Sequence, residues 1–197
     1  TVYQLVRPRQ FEVVFKDITM DDKHVIVHPT HLSICNADQR YYQGLRAEAV
    51  LKKKLPMALI HEGIGRVIYD PTGHFEQGTL VVMIPNTPVE QDEIIAENYL
   101  RSSKFRASGF DGFMQEYVSM EPDRLVVLPE DINLSVAAFT EIVSVSYHAI
   151  QRFLRFSHEE EMSLVYGAMA IWVILPLYYW KKLLPGYERI WLYFGVQ

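Results

Sequence analysis

Three separate stretches of the sequence carry side chains that could bind a metal ion or transfer protons. The only cysteine, Cys35, lies in the segment Ser33–Asp38, directly after a predicted strand. His61 and Glu62 are adjacent at the start of another predicted strand, and Glu141 lies among apolar residues of a predicted helix. A thiolate, an imidazole and a carboxylate are ligands that zinc enzymes use, with one coordination position left open for water or substrate.

Each of these residues also has a simpler interpretation when it is taken alone. A lone cysteine is more often a small buried hydrophobe than a ligand, and a His-Glu pair is more often a solvated strand end. Glu141 is more informative, because a carboxylate facing a core costs free energy unless it is paired or bound to a metal. If the three elements meet, Cys35, His61 and an acid complete a mixed sulfur, nitrogen and oxygen zinc site. The spacing in the sequence leaves open whether they meet.

Short β-branched runs separated by turn signals predict a compact, barrel-like sheet over residues 1–134. Several runs alternate apolar and polar residues, and Pro or Gly turns close them. The predicted strands are Phe11–Phe15, Val25–Val27, Gly63–Tyr69, Thr79–Ile84, Met114–Met120 and Leu125–Leu128. Many short strands with regular turn signals are typical of a mostly β domain.

The hydrophobic pattern changes to helical spacing after this domain. Ser135 can cap a helix, and Val136–Phe153 has apolar residues at helical spacing, so residues 135–156 are predicted to form one connecting helix. The following run from His158 to Glu161 is expected to be a solvated charged link.

The uncharged run from Met162 to Trp180 has two interpretations. It is long enough to span a membrane, with Lys181 and Lys182 as a flank. Pro176 interrupts it, and the rest of the chain has the composition of a soluble domain. We therefore favour a buried strand and helix of a truncated second domain over a membrane anchor.

The composition excludes several classes of protein. The 197 residues are 49% hydrophobic and 22% charged with a formal net charge of -5, which is globular rather than disordered, fibrous or disulfide-built. The acidic balance argues against nucleic acid as the main partner. A single cysteine cannot form an internal disulfide, which favours a reducing, cytoplasmic location.

The order of these motifs resembles the zinc-dependent medium-chain dehydrogenase/reductase family. Cys-x-x-Asp comes first, then a His-Glu pair before a glycine, then a helical Glu followed by Val-Ser-Val-x-x-His-Ala. Longer blocks over about residues 1–156 resemble the ribulose-5-phosphate reductases, which make ribitol 5-phosphate for teichoic acid and capsule precursors. These blocks are Ala37–Gly44, Leu55–Glu62, Val82–Asn86 and Ser108–Met114. The resemblance implies a mostly β, GroES-like barrel catalytic domain, followed by a helix and a truncated α/β (Rossmann) domain.

The same resemblance implies roles for the candidate residues. Cys35, His61 and Glu141 would surround one catalytic zinc ion per chain, with Glu62 beside it as an exchangeable ligand or acid. Asp38 would orient His61 by accepting its second ring N–H, which fixes the tautomer. The zinc would polarise the ketone oxygen of D-ribulose 5-phosphate while hydride arrives from a nicotinamide, most simply NADPH.

The stretch Glu90–Ala107 departs from the family pattern. Many relatives carry a four-cysteine structural zinc site here, and this sequence has no cysteine in the stretch, which excludes that site on ligand count. Arg101, Lys104 and Arg106 could meet a substrate phosphate, although a plain surface face is favoured.

The dinucleotide-binding turn of the family has no clear counterpart in residues 166–174. The family turn is close to V-W-G-D-G-N-L-G-Y-I, whose glycines let the backbone approach a pyrophosphate. Here Gly167 alone remains, so the G-x-G-x-x-G spacing is lost. The family turn can be written as a DNA sequence with ordinary codons. When that DNA is translated from its second base, it encodes Tyr-Gly-Ala-Met-Ala-Ile-Trp-Val-Ile, which matches residues 166–174. We therefore hypothesise a frameshift just before Tyr166, which makes residues 157–197 a remnant of the nucleotide-binding domain with little affinity for NADPH.

The expected function is that of a zinc-dependent oxidoreductase with low activity in this chain. Two alternatives stay open: another zinc polyol or alcohol dehydrogenase, and a non-catalytic remnant that binds zinc. By resemblance, the substrate is a small phosphorylated sugar and the intact family forms homodimers. A cytidylyltransferase that consumes ribitol 5-phosphate is the expected pathway neighbour.

Overall fold

The computed structural model describes residues 1–18, 20–95 and 100–156, with side chains described as far as His148. The chain divides into two compact units, Thr1–Glu141 and Ile142–Gln197. The predicted remnant of a nucleotide-binding domain, the frameshift hypothesis and the alternative of a membrane anchor all fall on residues outside the described ranges. Within those ranges, no helix combines the length and the apolar character needed to cross a membrane.

The described part of the chain is dominated by short strands, as predicted. The strands are β1 (Val2–Arg7), β2 (Gln10–Val14), β3 (Val25–Ser33), β4 (Met57–Ala58), β5 (Glu62–Tyr69), β6 (Leu80–Met83), β7 (Asn86–Thr87), β8 (Lys104–Phe105), β9 (Val118–Met120) and β10 (Leu125–Val127). The helices are α1 (Asn36–Tyr42), α2 (Glu48–Lys54), α3 (Leu134–Ala137) and α4 (Thr140–Phe156). The predicted mostly β fold class is therefore confirmed.

A five-stranded antiparallel sheet forms the centre of the first unit, with strand order β10-β6-β5-β3-β9. Residues that alternate along these strands point to one face and bury a common core. The core contains Val25, Val27, Val67, Val81, Met83, Phe113, Val118, Met120 and Leu125. This sheet matters for the site because its central pair, β3 and β5, leads directly into the predicted ligands.

Glycine allows β3 and β5 to lie close together beside the site. A Cβ atom at Gly63 would lie 2.5 Å from the Leu32 side chain and 2.9 Å from the His31 carbonyl oxygen. Any larger residue would therefore push the two strands apart. With Gly63 in place, Ser33 pairs directly with Glu62 across the two strands.

A second sheet and a loop hold the segment that precedes His61. The sheet has the order β2-β1-β4, and the loop around Gly112 binds the backbone at the end of β4 and directly after it. The Gly112 N–H donates to the Ala58 carbonyl at 2.8 Å, and the Phe113 N–H donates to the Ile60 carbonyl at 2.6 Å. A second core lies beneath this segment and contains Leu5, Tyr41, Met57, Leu59 and Ile60.

The predicted single helix after the sheet domain is two helices in the structure. Asn133, rather than Ser135, is the first N-cap, because its side-chain oxygen accepts the Val136 N–H at 3.2 Å. The chain then turns, and α4 begins at Thr140, whose hydroxyl donates to the Ala137 carbonyl at 2.6 Å. This bond satisfies a carbonyl that the end of α3 would otherwise leave without a partner.

Candidate metal centre

The structure brings Cys35, His61 and Glu62 together. Cys35 follows β3 and is the N-cap of α1, while Glu62 is the first residue of the neighbouring strand β5 and His61 directly precedes it. One ligand atom from each of the three residues lies within 4.8 Å of the others. The Cys35 Sγ is 3.8 Å from His61 Nε2, which is 3.8 Å from Glu62 Oε1.

These separations fit a tetrahedral zinc ion. Zinc bonds of about 2.3 Å to sulfur and about 2.1 Å to nitrogen and oxygen imply S···N and N···O separations of about 3.6 and about 3.4 Å. The two observed distances of 3.8 Å exceed these values by only about 0.2 and about 0.4 Å. The donor set of one thiol, one imidazole and one carboxylate therefore suits zinc in both chemistry and spacing, and it leaves a fourth position open.

Ser33 holds the Glu62 carboxylate in place. The Ser33 hydroxyl donates to Glu62 Oε2, while Oε1 is the oxygen on the side of His61. Both residues are buried, with Ser33 4% and Glu62 2% exposed. Burial raises the pKa of Glu62, and the hydrogen bond from Ser33 opposes that shift because it stabilises the ionised form. The register of β3 against β5 thus supplies a hydroxyl partner for a buried acid.

Asp38 connects the two segments that carry the ligands. Its Oδ2 accepts the Cys35 N–H at 3.1 Å and also the Cys35 thiol at 3.1 Å. Its Oδ1 accepts the Ile60 N–H at 2.9 Å. Asp38 therefore positions His61 through the backbone of the preceding residue, and the direct bond to the His61 ring that the family implies stays a prediction.

The metal-free thiol of Cys35 is held in its protonated form. Burial first, and then the negative charge of Asp38, raise the pKa of Cys35 from 9.0 to about 12. The thiolate is the form that binds metals. A bound cation would supply the positive charge that this environment lacks.

Glu141 lies near the group of three without belonging to it. Burial, and then the charge of Glu62, raise the pKa of Glu141 to about 7. The close group that the described residues form contains Glu62 rather than Glu141. The structure thus brings Cys35 and His61 together, with Glu62 as the acid of the close group. The assignment of Glu141 as a ligand stays a prediction.

Phe105 is a neighbour of the site that the sequence did not single out. Its ring meets the His61 ring edge-on, with the centroids 5.1 Å apart and the planes at 60°. Phe105 lies on β8, inside the stretch Glu90–Ala107, whose basic residues were expected to form a plain surface face. An aromatic residue within that charged stretch was the available signal.

The basic residues of the same stretch divide into two groups. Arg106 is a structural residue, because its guanidinium donates to the Ser119 carbonyl at 2.6 Å and to the Asp111 carbonyl at 3.5 Å. Arg101 and Lys104 are exposed, which agrees with the favoured surface interpretation.

Comparison with known proteins shows the family. Residues 21–130, more than half of the chain, match the alcohol dehydrogenase GroES-like domain. A ribulose-5-phosphate reductase from Bacillus spizizenii is 58% identical over 181 residues, which are 91% of this chain and 53% of the relative. Ribulose-5-phosphate reductase 2 from Staphylococcus aureus is 64% identical over 156 residues, which are 79% of this chain and 46% of that protein. The chain thus spans about half the length of the curated relatives it matches.

Solved structures agree with this result. The crystal structure of S. aureus TarJ in complex with NADPH has a TM-score of 0.62 at 50% identity and covers 77% of this chain and 40% of that chain. L-idonate 5-dehydrogenase from Escherichia coli has a TM-score of 0.69 at 26% identity, and the match covers 76% of this chain and 45% of that chain. The resemblance noted in the sequence is thereby confirmed, and the chain belongs to the family of alcohol dehydrogenase GroES-like domains.

Proposed function

We propose that the chain is the catalytic half of a zinc-dependent oxidoreductase that reduces D-ribulose 5-phosphate to D-ribitol 5-phosphate with NADPH. The observation that supports this proposal is the close group of Cys35, His61 and Glu62 in a chain 58% and 64% identical to two ribulose-5-phosphate reductases. The complex of a related protein with NADPH supports the choice of cofactor.

Cys35, His61 and Glu62 would hold the zinc ion, with Glu141 as a further acid at the same site. When bound, the metal supplies a Lewis acid that polarises the substrate carbonyl and stabilises the negative charge that develops on its oxygen. Asp38 fixes the backbone on either side of the ligands, and Ser33 orients the Glu62 carboxylate. The burial of these groups strengthens their electrostatic effect on the reacting oxygen.

The nicotinamide half of the reaction depends on the residues after 156. The altered turn around Gly167 predicts weak binding of NADPH, because backbone N–H groups at a glycine-rich turn normally hold the pyrophosphate. We therefore expect the full chain to oxidise NADPH slowly. This sequence change also favours a second candidate function, that of a non-catalytic remnant that binds zinc and catalyses no reaction.

The remaining parts of the proposal concern the surroundings of the enzyme. A small phosphorylated sugar and NADPH are both intracellular metabolites, so we propose a cytoplasmic location. The homodimer and the neighbouring cytidylyltransferase stay predictions from the resemblance.

The test uses the purified full chain and a Cys35→Ser variant. Metal analysis should find one zinc ion per wild-type chain and much less in the variant. NADPH absorbance should fall slowly with D-ribulose 5-phosphate, more slowly with D-ribulose, and not at all with the variant. Equal rates with both ketoses would favour another polyol dehydrogenase. Bound zinc with no NADPH binding and no oxidation would favour the non-catalytic remnant.

A further inference from the structure

Asn86 lies on the strand that pairs with the strand of Phe105, the aromatic neighbour of His61. Strands β7 and β8 form a two-stranded antiparallel sheet in which Asn86 pairs directly with Phe105. Directly opposed residues of such a pair point to the same face, with Cβ atoms about 5 Å apart. Phe105 in turn contacts the His61 ring. The Asn86 side chain therefore lies on the same face of this small sheet as the ring that contacts a predicted zinc ligand.

The central sheet places Asn86 at the same edge independently. Strand β6 runs antiparallel to β5, with Val82 opposite Ile64 and Val81 opposite Gly65. The C-terminal end of β6 therefore lies where β5 begins, which is the edge that carries Glu62. Asn86 follows the last residue of β6 by three positions.

The Asn86 amide is a buried donor for which the described residues offer no acceptor. The residue is 9% exposed, and its Nδ2 has no hydrogen-bond partner in the described part of the chain. Buried polar groups in native proteins are nearly always paired, so an unpaired one requires an explanation. An apolar residue of similar size would avoid the desolvation cost. A ligand oxygen that pairs with Nδ2 only when the site is filled explains why an amide stands there.

We propose that the Asn86 amide donates a hydrogen bond to a hydroxyl or keto oxygen of the sugar chain of the substrate bound at the metal centre. This inference rests on the proposed function and assigns a substrate-binding residue to it. A polyhydroxy ketone carries such oxygens on the carbons next to the one that reacts.

The sugar chain suits this amide better than the phosphate does. Phosphate oxygens are bound chiefly by guanidinium, ammonium or clustered backbone N–H groups, whereas Asn86 offers one neutral donor close to His61. A substrate analogue without the matching oxygen would leave the donor unpaired, so the contact also contributes to specificity.

The experiment compares three variants of the full, zinc-loaded chain. Asn86→Leu keeps the approximate size and removes the donor, and Asn86→Asp keeps the shape but offers only acceptors. Thr87→Val is the matched control, because Thr87 is the adjacent residue of the same strand and pairs with Lys104 instead of Phe105. Isothermal titration measures the Kd for D-ribulose 5-phosphate and for inorganic phosphate, and thermal unfolding measures Tm.

We expect Asn86→Leu and Asn86→Asp to weaken binding of D-ribulose 5-phosphate by about tenfold to hundredfold, as expected for one lost hydrogen bond at a buried site. The Tm of Asn86→Leu should equal or exceed that of the wild type, because Nδ2 has no partner to lose among the described residues. Affinity for inorganic phosphate should be unchanged, and Thr87→Val should behave as the wild type.

Three results would overturn the inference while leaving the proposed function intact. The first is an unchanged affinity of Asn86→Leu for D-ribulose 5-phosphate, and the second is an equal loss of its affinity for inorganic phosphate. The third is a fall in the Tm of Asn86→Leu of about 3 °C or more, which would reveal a structural role of Asn86. A wild-type chain that holds zinc but neither binds nor reduces D-ribulose 5-phosphate would overturn the proposed function itself, and the inference with it.

Discussion

Replacement of Ser33 by alanine should weaken zinc binding without unfolding the protein. The Ser33 hydroxyl is the partner of Glu62 Oε2, and it leaves Oε1 on the side of His61. Alanine removes this donor, so that the carboxylate can rotate and its pKa rises further. Both changes oppose coordination, because the ligand must be ionised and correctly oriented.

The magnitude follows from the burial of the pair. A hydrogen bond to a charged group contributes about 1.5–3 kcal/mol, and neither partner is exposed enough for water to replace it, since Ser33 is 4% and Glu62 2% exposed. At about 1.4 kcal/mol for each factor of ten, the loss corresponds to about tenfold to a hundredfold in affinity. Loss of an outer hydrogen-bond partner of a metal ligand has effects of the same size.

The assay is a competition titration of the metal-free chain with zinc and a chromophoric chelator. Ser119→Ala is the matched control, because it makes the same chemical change on β9, which pairs with β3 at Ile26. Ser33 lies seven positions further along β3 than Ile26, or about 23 Å at about 3.3 Å per residue. The control should bind zinc as the wild type does, and both variants should keep a wild-type circular dichroism spectrum.

Two outcomes would refute this reasoning. Wild-type zinc affinity in Ser33→Ala would mean that the hydroxyl does not orient Glu62. An equal loss in Ser119→Ala would mean that the effect comes from general destabilisation of the sheet.

Three further predictions concern the loop that holds the segment before His61. Asp111→Asn should lower the free energy of unfolding by about 1–2 kcal/mol at neutral pH, because the carboxylate accepts the Ala58 N–H at 2.8 Å and pairs with Lys16. Burial raises the pKa of Asp111, but these bonds outweigh it and lower the pKa, so the stabilisation is lost as pH falls through the folded-state value. Urea unfolding should therefore show the two proteins converging below about pH 4, and a constant difference would contradict the assignment. Gly112→Ala should lower Tm strongly, because its Cβ would lie 2.3 Å from two backbone carbonyl oxygens, and an unchanged melting curve would disprove the contact. Phe113→Ala should cost about 3–5 kcal/mol in urea unfolding, since the ring is 0% exposed in the core, and a loss below about 1 kcal/mol would show that the site collapses without a cavity.

Local patterns in the sequence were sufficient to predict most of the strands. Short runs rich in β-branched residues, together with the Pro and Gly turns that close them, identified β5, β6 and β10 to within a residue or two, because such residues are enriched in strands. The same signals missed α1. A helix of seven residues is marginal by itself, and this one is held by Asp38, which accepts the Cys35 N–H at 3.1 Å, and by the burial of Tyr41.

Residues that act across distant strands were harder to foresee. Asn86 and Phe105 lie on two-residue strands that carry almost no local pattern, and their positions depend on pairing over many intervening residues. Pairing at such sequence separation is decided by the packing of the whole domain rather than by local propensity.

The sequence by itself determined the donor types and the family, because one thiol, one His-Glu pair and one helical acid in this order suit zinc and match a known pattern. Only the tertiary structure decided which acid joins the thiol and the imidazole in the close group. The antiparallel register that sets Ser33 opposite Glu62, together with the cap that Asp38 forms at Cys35, brings Glu62 into the close group and leaves Glu141 beside it. That choice depends on strand register and burial, which are properties of the folded chain rather than of any segment alone.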